Sequence, residues 1–355
     1  MKAMEEENRK KRILHVLSSS SYSGAENVAI TIINEMRDKY NFCYTSSEGK
    51  IREVLSNQGI YYLPVSKMSI SEIKRVVNKY NPDLIHAHDF RASIICSVFG
   101  NKIPVISHIH HYGSWMSKHG FYSLAYLISS ARYCKIIAVS KTIKDKYIYQ
   151  SLLTEKMKVI SNPINISEIR EKSIEYDIEK KYDITYLGRL VNEKDPTRFI
   201  SLMEGVVQMY PDIHIALIGE GYLYDECLNL IQKLNLSSNI ELLGFIKNPY
   251  PILKKSKILC VTSKTEGYGL VAVEALALGL PVVASDVGGL REIIDDTSGK
   301  LCKSDNDFVS EIDKLLKDNL YYLKKSKLAL KRAEELHNIE HYIEYLDELY
   351  RGKQR

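Results

Sequence analysis

The chain has 355 residues, about twice the length of a typical domain, so its length predicts two domains. Its residues are 45% hydrophobic and 26% charged, as in ordinary soluble proteins, and no apolar run approaches the ~20 residues that a membrane span requires. The net charge of +5 does not indicate nucleic-acid binding, and six scattered cysteines without a CxxC pair predict free thiols in a reducing cytosol. Residues 1–12 are charged and no apolar signal region follows them, so we expect a cytoplasmic protein.

Short apolar β-type runs alternate with helical patterns along the chain. The first series contains "RILHVLS", a helical stretch that Ser23 would cap, "DLIHAH", "IPVISHIH" and "KIIAVS". After a break near residues 160–170 the alternation begins again with "DITYLGRL", "HIALIGEG", "NIELLG", "ILCVTS" and "PVVAS". Apolar strands separated by helices are typical of parallel sheets covered on both faces. The sequence therefore predicts an α/β protein with two doubly wound, Rossmann-like parallel-sheet domains.

Two carboxylates follow the strand "ILCVTS". In doubly wound sheets, ligands bind beyond the carboxyl ends of the strands, where the loop "KTEGYG" carries Glu266. A helix beginning near Gly269 or Leu270 would point its first amides at the same place and form an anion site. Glu274 lies within this helix among apolar neighbours, where a glutamate needs a polar partner. A solvated helix residue is the alternative, but we expect both carboxylates to accept hydrogen bonds from sugar hydroxyls.

Two cations follow the strand that ends at Gly188. In "YLGRLVNEKDP", Arg189 offers a planar fork and Lys194 a point charge, a combination that suits a diphosphate. Such a pair in a loop is also common on solvated surfaces, so it indicates a diphosphate site only if it lies opposite an amide-rich helix start. The stretch "ALIGEGYLYDE" contains a GxG, but Tyr224 occupies the third glycine position of a dinucleotide fingerprint. Nicotinamide binding is therefore disfavoured.

Histidines end two strands of the first series. "HAHD" contributes His86 and His88, and "HIHH" contributes His108, His110 and His111. No acidic or cysteine ligand lies at tight spacing, so we predict no metal site. We expect one histidine to be a polar or acid/base group beside the reacting centre and the others to be structural. "SDNDF" imitates the DxD metal string of some sugar transferases, but its place before a surface helix predicts a helix cap.

Longer motifs carry a resemblance over nearly the whole chain. "EGYGLVAVEALALGLPVVASDVGG" resembles the EGFG…EA…G.PVVA…GG signature of glycosyltransferase family 4, the retaining GT-B transferases, and "LGRLVNEKDP" resembles the family's GRL…KG stretch. "SGAE", "IIAVSKTIKDKYI", "VISNPIN", "IGEG" and "NIELLGFI" match further family blocks in the same order. The resemblance implies two Rossmann-like domains facing each other across a cleft. These would be an acceptor-side domain (residues 1–165), a donor-binding domain (166–337) and a final helix (338–355) that crosses back to the first domain.

The resemblance also implies roles for particular residues in the donor-binding domain. Arg189 and Lys194 would grip the diphosphate of a nucleotide-sugar, together with the backbone amides of Gly269 and Leu270. Glu274 would bind the ribose hydroxyls, and Glu266 would act in catalysis by contacting the transferred sugar. One departure from the family pattern is Lys194-Asp195 in place of Lys-Gly.

In the acceptor-side domain, Ser23 and Gly24 would approach the phosphates, with Ser23-Gly24 standing in place of the family's double glycine. His110 is similar to the family's active-site histidine, although His108 and His111 are alternatives for that role.

The implied function is retaining transfer of a hexose from a nucleotide-sugar, with UDP as the expected nucleotide, to a sugar or lipid-linked acceptor in capsule or other cell-surface polysaccharide synthesis. No metal or cofactor is expected, and a hinge is expected near Asn162-Pro163. The aromatic and basic stretch "HHYGSWMSKHGFYSLAYLISSARY" could bind a sugar or rest peripherally on the inner face of the cell membrane. Alternatives are a non-catalytic sugar-nucleotide-binding subunit that activates a partner transferase, a hydrolase or epimerase on the same scaffold, and a nicotinamide-dependent oxidoreductase.

Overall fold

The computed structural model describes residues 9–352, so most of the charged N-terminal stretch lies outside the described residues. The chain divides into two compact units between Pro163 and Ile164. The first unit contains the described parts of Met1–Pro163 and Ile339–Arg355, and the second is Ile164–Asn338. Within the described residues, no helix is both long and apolar enough to cross a lipid bilayer.

The first unit is a parallel sheet with helices between successive strands. Its elements in chain order are β1 (Arg12–Val16), α1 (Gly24–Met36), β2 (Asn41–Thr45), α2 (Ile51–Asn57), α3 (Ile70–Tyr80), β3 (Leu84–Ala87), α4 (Phe90–Ser97), β4 (Val105–Ile109), α5 (Phe121–Ser130), β5 (Lys135–Ala138), α6 (Lys141–Lys146) and β6 (Met157–Val159). Over the described residues its six strands lie in the order β2-β1-β3-β4-β5-β6.

The second unit repeats this plan. It contains α7 (Ile166–Lys172), β7 (Tyr182–Leu187), α8 (Pro196–Met209), β8 (Ile215–Ile218), α9 (Tyr224–Lys233), β9 (Ile240–Gly244), α10 (Tyr250–Lys254), β10 (Ser256–Val261), α11 (Leu270–Ala277), β11 (Val282–Ser285), α12 (Leu290–Ile293), β12 (Gly299–Cys302), α13 (Asp305–Lys317) and α14 (Asn319–Leu336). Its six described strands are parallel in the order β12-β11-β10-β7-β8-β9. The prediction of two doubly wound α/β sheets is confirmed.

The strands form because their apolar runs are buried on both faces. In β8 and β11 every residue is buried, and Ile184, Phe199 and Leu217 belong to one core that fills the space between the second sheet and its helices. Such continuous apolar runs are what a parallel sheet covered by helices requires.

The last helix, α15 (Ile339–Arg351), packs in the first unit. Tyr40 Oη donates to Asp347 Oδ1 at 2.8 Å, and Lys11 Nζ donates to the Tyr350 carbonyl at 3.1 Å. The apolar face of the helix is buried with these contacts, including Tyr342 and Leu346. The final helix therefore completes the core of the first sheet, although more than 170 residues of the second unit precede it in the chain.

The strand order determines where a ligand can bind at the edge of each sheet. In the second unit the order reverses at β7 and β10, which are neighbours although three strands apart in number; in the first unit it reverses at β1 and β3. The loops leaving such a pair diverge to opposite faces of the sheet and leave a crevice at the carboxyl ends of the strands. The residues that follow β7 and β10 are the ones that the sequence singled out.

Candidate active site

The structure brings Lys194 and Glu266 into direct contact at the switch point of the second unit. Lys194 lies in the loop after β7 and Glu266 in the loop after β10, and the Lys194 ammonium forms an ion pair with Glu266 Oε1. Ser263 Oγ donates to the same oxygen at 2.9 Å, and Glu266 is only 6% exposed. A buried carboxylate thus has a cation and a hydroxyl as its partners, which offsets the cost of removing it from water.

The two loops are held together by hydrogen bonds to their backbone. Thr262 Oγ1 donates to the Asp195 carbonyl at 2.8 Å, and the Lys264 amide donates to the Glu193 carbonyl at 2.9 Å. Asp195 itself adopts a left-handed backbone with φ of 49°. Glycine is the residue that best tolerates this conformation, and aspartate is one of the few others that adopt it. This explains how Lys-Asp can stand where the family pattern has Lys-Gly.

Glycines set the position of Glu266 by allowing backbone segments to touch. A Cβ on Gly288 would lie 1.8 Å from the Glu266 carbonyl oxygen, and a Cβ on Gly289 would lie 2.5 Å from Tyr268 Cα. The Gly289 amide donates to the Glu266 carbonyl at 3.2 Å. The "DVGG" loop therefore positions the carboxylate, a role that the sequence did not reveal although the motif was visible.

Gly269 and Leu270 form the start of α11, beside the same loop. Gly269 has φ of 107°, and a Cβ there would lie 2.7 Å from Leu290 Cδ2, so both the backbone and the space favour glycine. The first amides of the helix have no intrahelical partners and carry the positive end of the helix dipole. The predicted helix start is confirmed, and its role as an anion site stays a prediction.

Glu274 lies one turn further along α11 and has a polar partner. Tyr250 Oη donates to Glu274 Oε1 at 3.2 Å. Burial raises the pKa of the Glu274 carboxyl to about 7, and the Tyr250 hydrogen bond and the Lys172 charge offset only part of this rise. The carboxyl is therefore divided between its neutral and ionised forms near neutral pH, while a hydroxyl donor would favour the ionised form.

Arg189 is exposed at the end of β7, and within residues 9–352 its guanidinium makes no ion pair. The neighbouring GxG serves packing of the two loops. A Cβ on Gly219 would lie 1.9 Å from the Gly188 carbonyl oxygen, and one on Gly221 would lie 2.2 Å from the Leu190 carbonyl oxygen. These glycines bring the loops after β7 and β8 into contact, which is a sufficient reason for the motif without a dinucleotide.

In the first unit, Ser23 and Gly24 begin α1. Ser23 occupies the N-cap position, as the sequence predicts, but its hydroxyl donates to Glu26 Oε2 at 2.5 Å instead of accepting from a backbone amide. The loop after β1 is tied to the loop after β3, because Asp89 accepts hydrogen bonds from the Ser18 amide at 2.6 Å and the Ser18 hydroxyl at 2.8 Å.

The histidines form a buried cluster on one face of the first sheet, with one member that the sequence did not suggest. His15 on β1 is paired in register with His86 on β3, so its side chain lies on the same face as His86 and His88. His15 Nδ1 lies 2.8 Å from His88 Nε2, and His88 Nδ1 lies 3.1 Å from His110 Nε2. The alternation of "RILHVLS" places His15 on one face, but only the strand order shows which histidines lie beside it.

The three histidines that the sequence offers for the reacting centre differ in their exposure to solvent. His111 is exposed, His108 is fully buried and His110 is 8% exposed. Burial lowers the pKa of His110 to about 3, so this imidazole is neutral at pH 7 and acts as a hydrogen-bonding group there, not as a charged acid.

The DxD-like string is a helix cap. The Asp307 amide donates to Ser304 Oγ at 3.2 Å, and the Asp307 carboxylate accepts from the Ser304 amide at 2.9 Å, which together form a capping box at the start of α13. This prediction is confirmed.

Comparison with known proteins finds two family matches and related chains. Residues 22–168 match the family described as glycosyltransferase family 4, and residues 168–336 match glycosyl transferases group 1. Two uncharacterised glycosyltransferases of Methanocaldococcus jannaschii are 31% and 34% identical over 63% and 70% of this chain. These matches span 60% and 68% of the relatives' own lengths.

A longer match is to the N-acetylgalactosamine-N,N'-diacetylbacillosaminyl-diphospho-undecaprenol 4-alpha-N-acetylgalactosaminyltransferase of Campylobacter jejuni. It is 29% identical and covers 91% of this chain and 96% of the relative. Among solved structures, HepE of Anabaena in complex with UDP and glucose superposes with a TM-score of 0.80 at 20% identity, covering 96% of this chain and 99% of HepE. This likeness concerns the fold, and it confirms the predicted GT-B fold.

Proposed function

This chain belongs to glycosyltransferase family 4 and has the GT-B fold, and from that we propose that it is a retaining hexosyltransferase with a nucleotide-sugar donor. The donor would be a UDP-sugar, and the acceptor a sugar or lipid-linked glycan in the synthesis of a capsule or another cell-surface polysaccharide. The observation that carries the proposal is the Lys194–Glu266 pair at the switch point of the second sheet. It is supported by the undecaprenol-linked acceptor in the name of the Campylobacter relative and by the UDP and glucose bound to HepE.

We assign the diphosphate to the space between the cations of the loop after β7 and the first amides of α11. A lysine ammonium has three N–H donors, so Lys194 can keep its bond to Glu266 and still donate to a phosphate oxygen. Arg189 is exposed and can add a bidentate contact, and the start of α11 offers the amides of Gly269 and Leu270. These groups stabilise the negative charge that grows on the leaving nucleoside diphosphate, so the transfer itself would need no metal or other cofactor.

Glu266 would act on the transferred sugar. Its carboxylate is fixed by Lys194 and Ser263, so it does not need to reorganise when positive charge develops at the anomeric carbon. Its effect would therefore be larger in the transition state than in the ground state, and larger on turnover than on donor affinity.

Glu274 would accept hydrogen bonds from the ribose hydroxyls and change its protonation on binding. With a pKa of about 7, both forms of the carboxyl are populated near neutral pH in the free protein. The ribose hydroxyls donate hydrogen bonds, so donor binding selects the ionised form. Tyr250, which already donates to the carboxylate, would hold it in place for the ribose.

On the first unit, we assign Ser23 and Gly24 to the donor phosphates and the neutral His110 to the reacting sugar.

Helix α5 carries the candidate contact with a membrane-bound acceptor. Phe121 is 82% exposed and Ile128 is 67% exposed, and with Leu124 they follow a spacing of three and four residues along one face. The exposed Lys118 and Arg132 flank this face, so it would suit peripheral binding to an anionic bilayer.

The experiment combines donor binding with analysis of the product. Protein treated with chelator would be scanned by thermal shift against UDP-, GDP- and ADP-sugars, with and without Mg²⁺. The donor that raises the melting temperature would then be supplied with undecaprenyl-diphosphate-linked glycans. We expect one nucleotide family to stabilise the protein without Mg²⁺, and a product whose anomeric configuration by NMR matches that of the donor.

Glu266→Gln provides the matched test of catalysis, with Glu193→Gln as its control because Glu193 is an exposed glutamate in the other loop of the site. We expect Glu266→Gln to lower turnover by at least a hundredfold with donor affinity changed by less than tenfold, and Glu193→Gln to behave as wild type. Donor binding without transfer to any acceptor, equal in wild type and Glu266→Gln, would instead favour a non-catalytic sugar-nucleotide-binding subunit.

A further inference from the structure

Five of the described histidine side chains are buried in the first unit. His15, His86, His88 and His108 are fully buried, and His110 is nearly so. Several ring nitrogens in this cluster are buried and have no hydrogen-bond partner among residues 9–352, namely His15 Nε2, His86 Nε2 and both nitrogens of His108. An unpaired buried polar atom costs roughly 1–3 kcal/mol, and of these atoms His86 Nε2 is the one whose lone pair a ligand shared with His15 and His88 could satisfy.

In contrast to the prediction of no metal site from the sequence, we propose from this arrangement that His15, His86 and His88 form a binding site for one borderline divalent cation of the zinc class. One ring nitrogen from each residue lies within 4.8 Å of those of the other two. Tetrahedral zinc with bonds of about 2.0–2.1 Å holds its nitrogen ligands about 3.3 Å apart, and His15 Nδ1 and His88 Nε2 are already 2.8 Å apart. His15 and His88 would therefore need only small shifts, whereas the His86 ring, which is stacked on His88 with 4.2 Å between the ring centroids, would have to rotate to direct its Nε2 lone pair at the ion. An all-nitrogen ligand set selects zinc or its neighbours over Mg²⁺ or Ca²⁺.

Two of the three ligands are oriented by a second residue. His86 Nδ1 lies 2.7 Å from Tyr350 Oη, so with an ion on Nε2 it would donate its proton to the tyrosine oxygen. His88 Nδ1 lies 3.1 Å from His110 Nε2 and would donate there in the same way. Metal-binding histidines almost always donate their other ring N–H to such a partner. The overlapping triad His88, His108 and His110 lacks this support at His108, because neither of its nitrogens has a partner in the part of the chain that the structure describes.

The triad itself contains no residue that we assign to the transferase reaction, but it adjoins one, because His88 would donate to His110.

The first test is the metal content of the full chain, purified without an affinity tag or metal column and dialysed against metal-free buffer. We expect about one zinc ion per chain after incubation with a small excess of Zn²⁺, and a melting temperature that falls on removal of the ion by chelator and recovers with Zn²⁺. Less than about a tenth of an ion per chain, with no thermal shift in excess Zn²⁺, would overturn the proposal.

Variants locate the site without relying on the folding of any single one. Tyr350→Phe keeps the ring but removes the oxygen beside His86, and we expect zinc affinity, measured by chelator competition, to fall 10- to 100-fold. Tyr342→Phe is its control, because this buried tyrosine lies on the same helix and its hydroxyl has no partner. Equal affinity in the two variants would refute the assignment of His86.

A second pair of variants separates the two triads. We expect His15→Gln to lose the ion and His108→Gln to retain it. An ion retained by His15→Gln would place the site elsewhere and refute the proposed triad.

Discussion

The substitution Glu274→Gln should stabilise the protein at alkaline pH and have little effect at acidic pH. Burial raises the pKa of this carboxyl from 4.5 to about 7, a difference of about 2.5 units. The folded-state pKa of Glu274 is above the unfolded one. Below pH 4.5 the carboxyl is therefore protonated in both states and does not reduce the free energy of unfolding. As the pH rises from 4.5 to 7, the unfolded state loses this proton first, and the free energy of unfolding falls. At 1.36 kcal/mol per unit, the ionised carboxylate therefore costs about 3 kcal/mol of folding free energy above pH 7.

Glutamine removes this cost because it does not titrate, and its amide oxygen can still accept the Tyr250 hydrogen bond. We expect Glu274→Gln to exceed wild type by about 3 kcal/mol at pH 8 and by less than about 1 kcal/mol at pH 5, a pH-dependent difference of about 2.5 kcal/mol. Glu204→Gln, an exposed glutamate on α8, is the matched control and should show no such difference.

The assay must report on the second unit, because Glu274 lies there and a chain of two compact units need not unfold in a single two-state transition. The single tryptophan, Trp115, lies in the first unit, so its fluorescence supplies an internal control. Urea denaturation followed by far-UV circular dichroism and by tryptophan fluorescence at pH 5 and pH 8 would separate the two transitions. Parallel pH dependences of wild type and Glu274→Gln, or a loss of stability in the variant at pH 8, would show that this carboxyl is not perturbed by burial.

Three further predictions concern ligands. The affinity for UDP-glucose, measured by calorimetry, should increase about tenfold from pH 6 to pH 8, because the ribose selects ionised Glu274 and the doubly esterified diphosphate does not titrate in this range. In Glu274→Gln the affinity should no longer depend on pH. A wild-type affinity that does not change with pH would contradict the ribose role. Lys194→Ala should weaken UDP binding by about 10- to 100-fold, the loss expected for one charge-assisted bond, and unchanged affinity would remove Lys194 from the diphosphate site. Phe121→Ser should reduce sedimentation with anionic vesicles severalfold while Tyr61→Ser, at another exposed aromatic residue, should not; equal sedimentation would argue against α5 as the membrane contact.

The sequence by itself determined the class of fold and the places where a site could form. Apolar runs of strand length between helical patterns require parallel sheets covered on both faces, because that is how such runs are removed from water. Loops at the carboxyl ends of these strands were therefore recognisable, and so were Glu266 and Lys194 within them. Tyr224 in the third glycine position disfavoured a dinucleotide fingerprint, and the structure gives the glycines before it a role in loop packing.

Partners distant in sequence were decided only by tertiary structure. Lys194 and Glu266 are 72 residues apart and meet because β7 and β10 are adjacent in the sheet, while Tyr350 reaches His86 across 264 residues because the last helix packs in the first unit. His15 joins the histidine cluster for the same reason, since β1 lies beside β3. Periodicity and turn chemistry act over a few residues and specify each element, but strand order depends on how whole elements pack, and no local pattern encodes it.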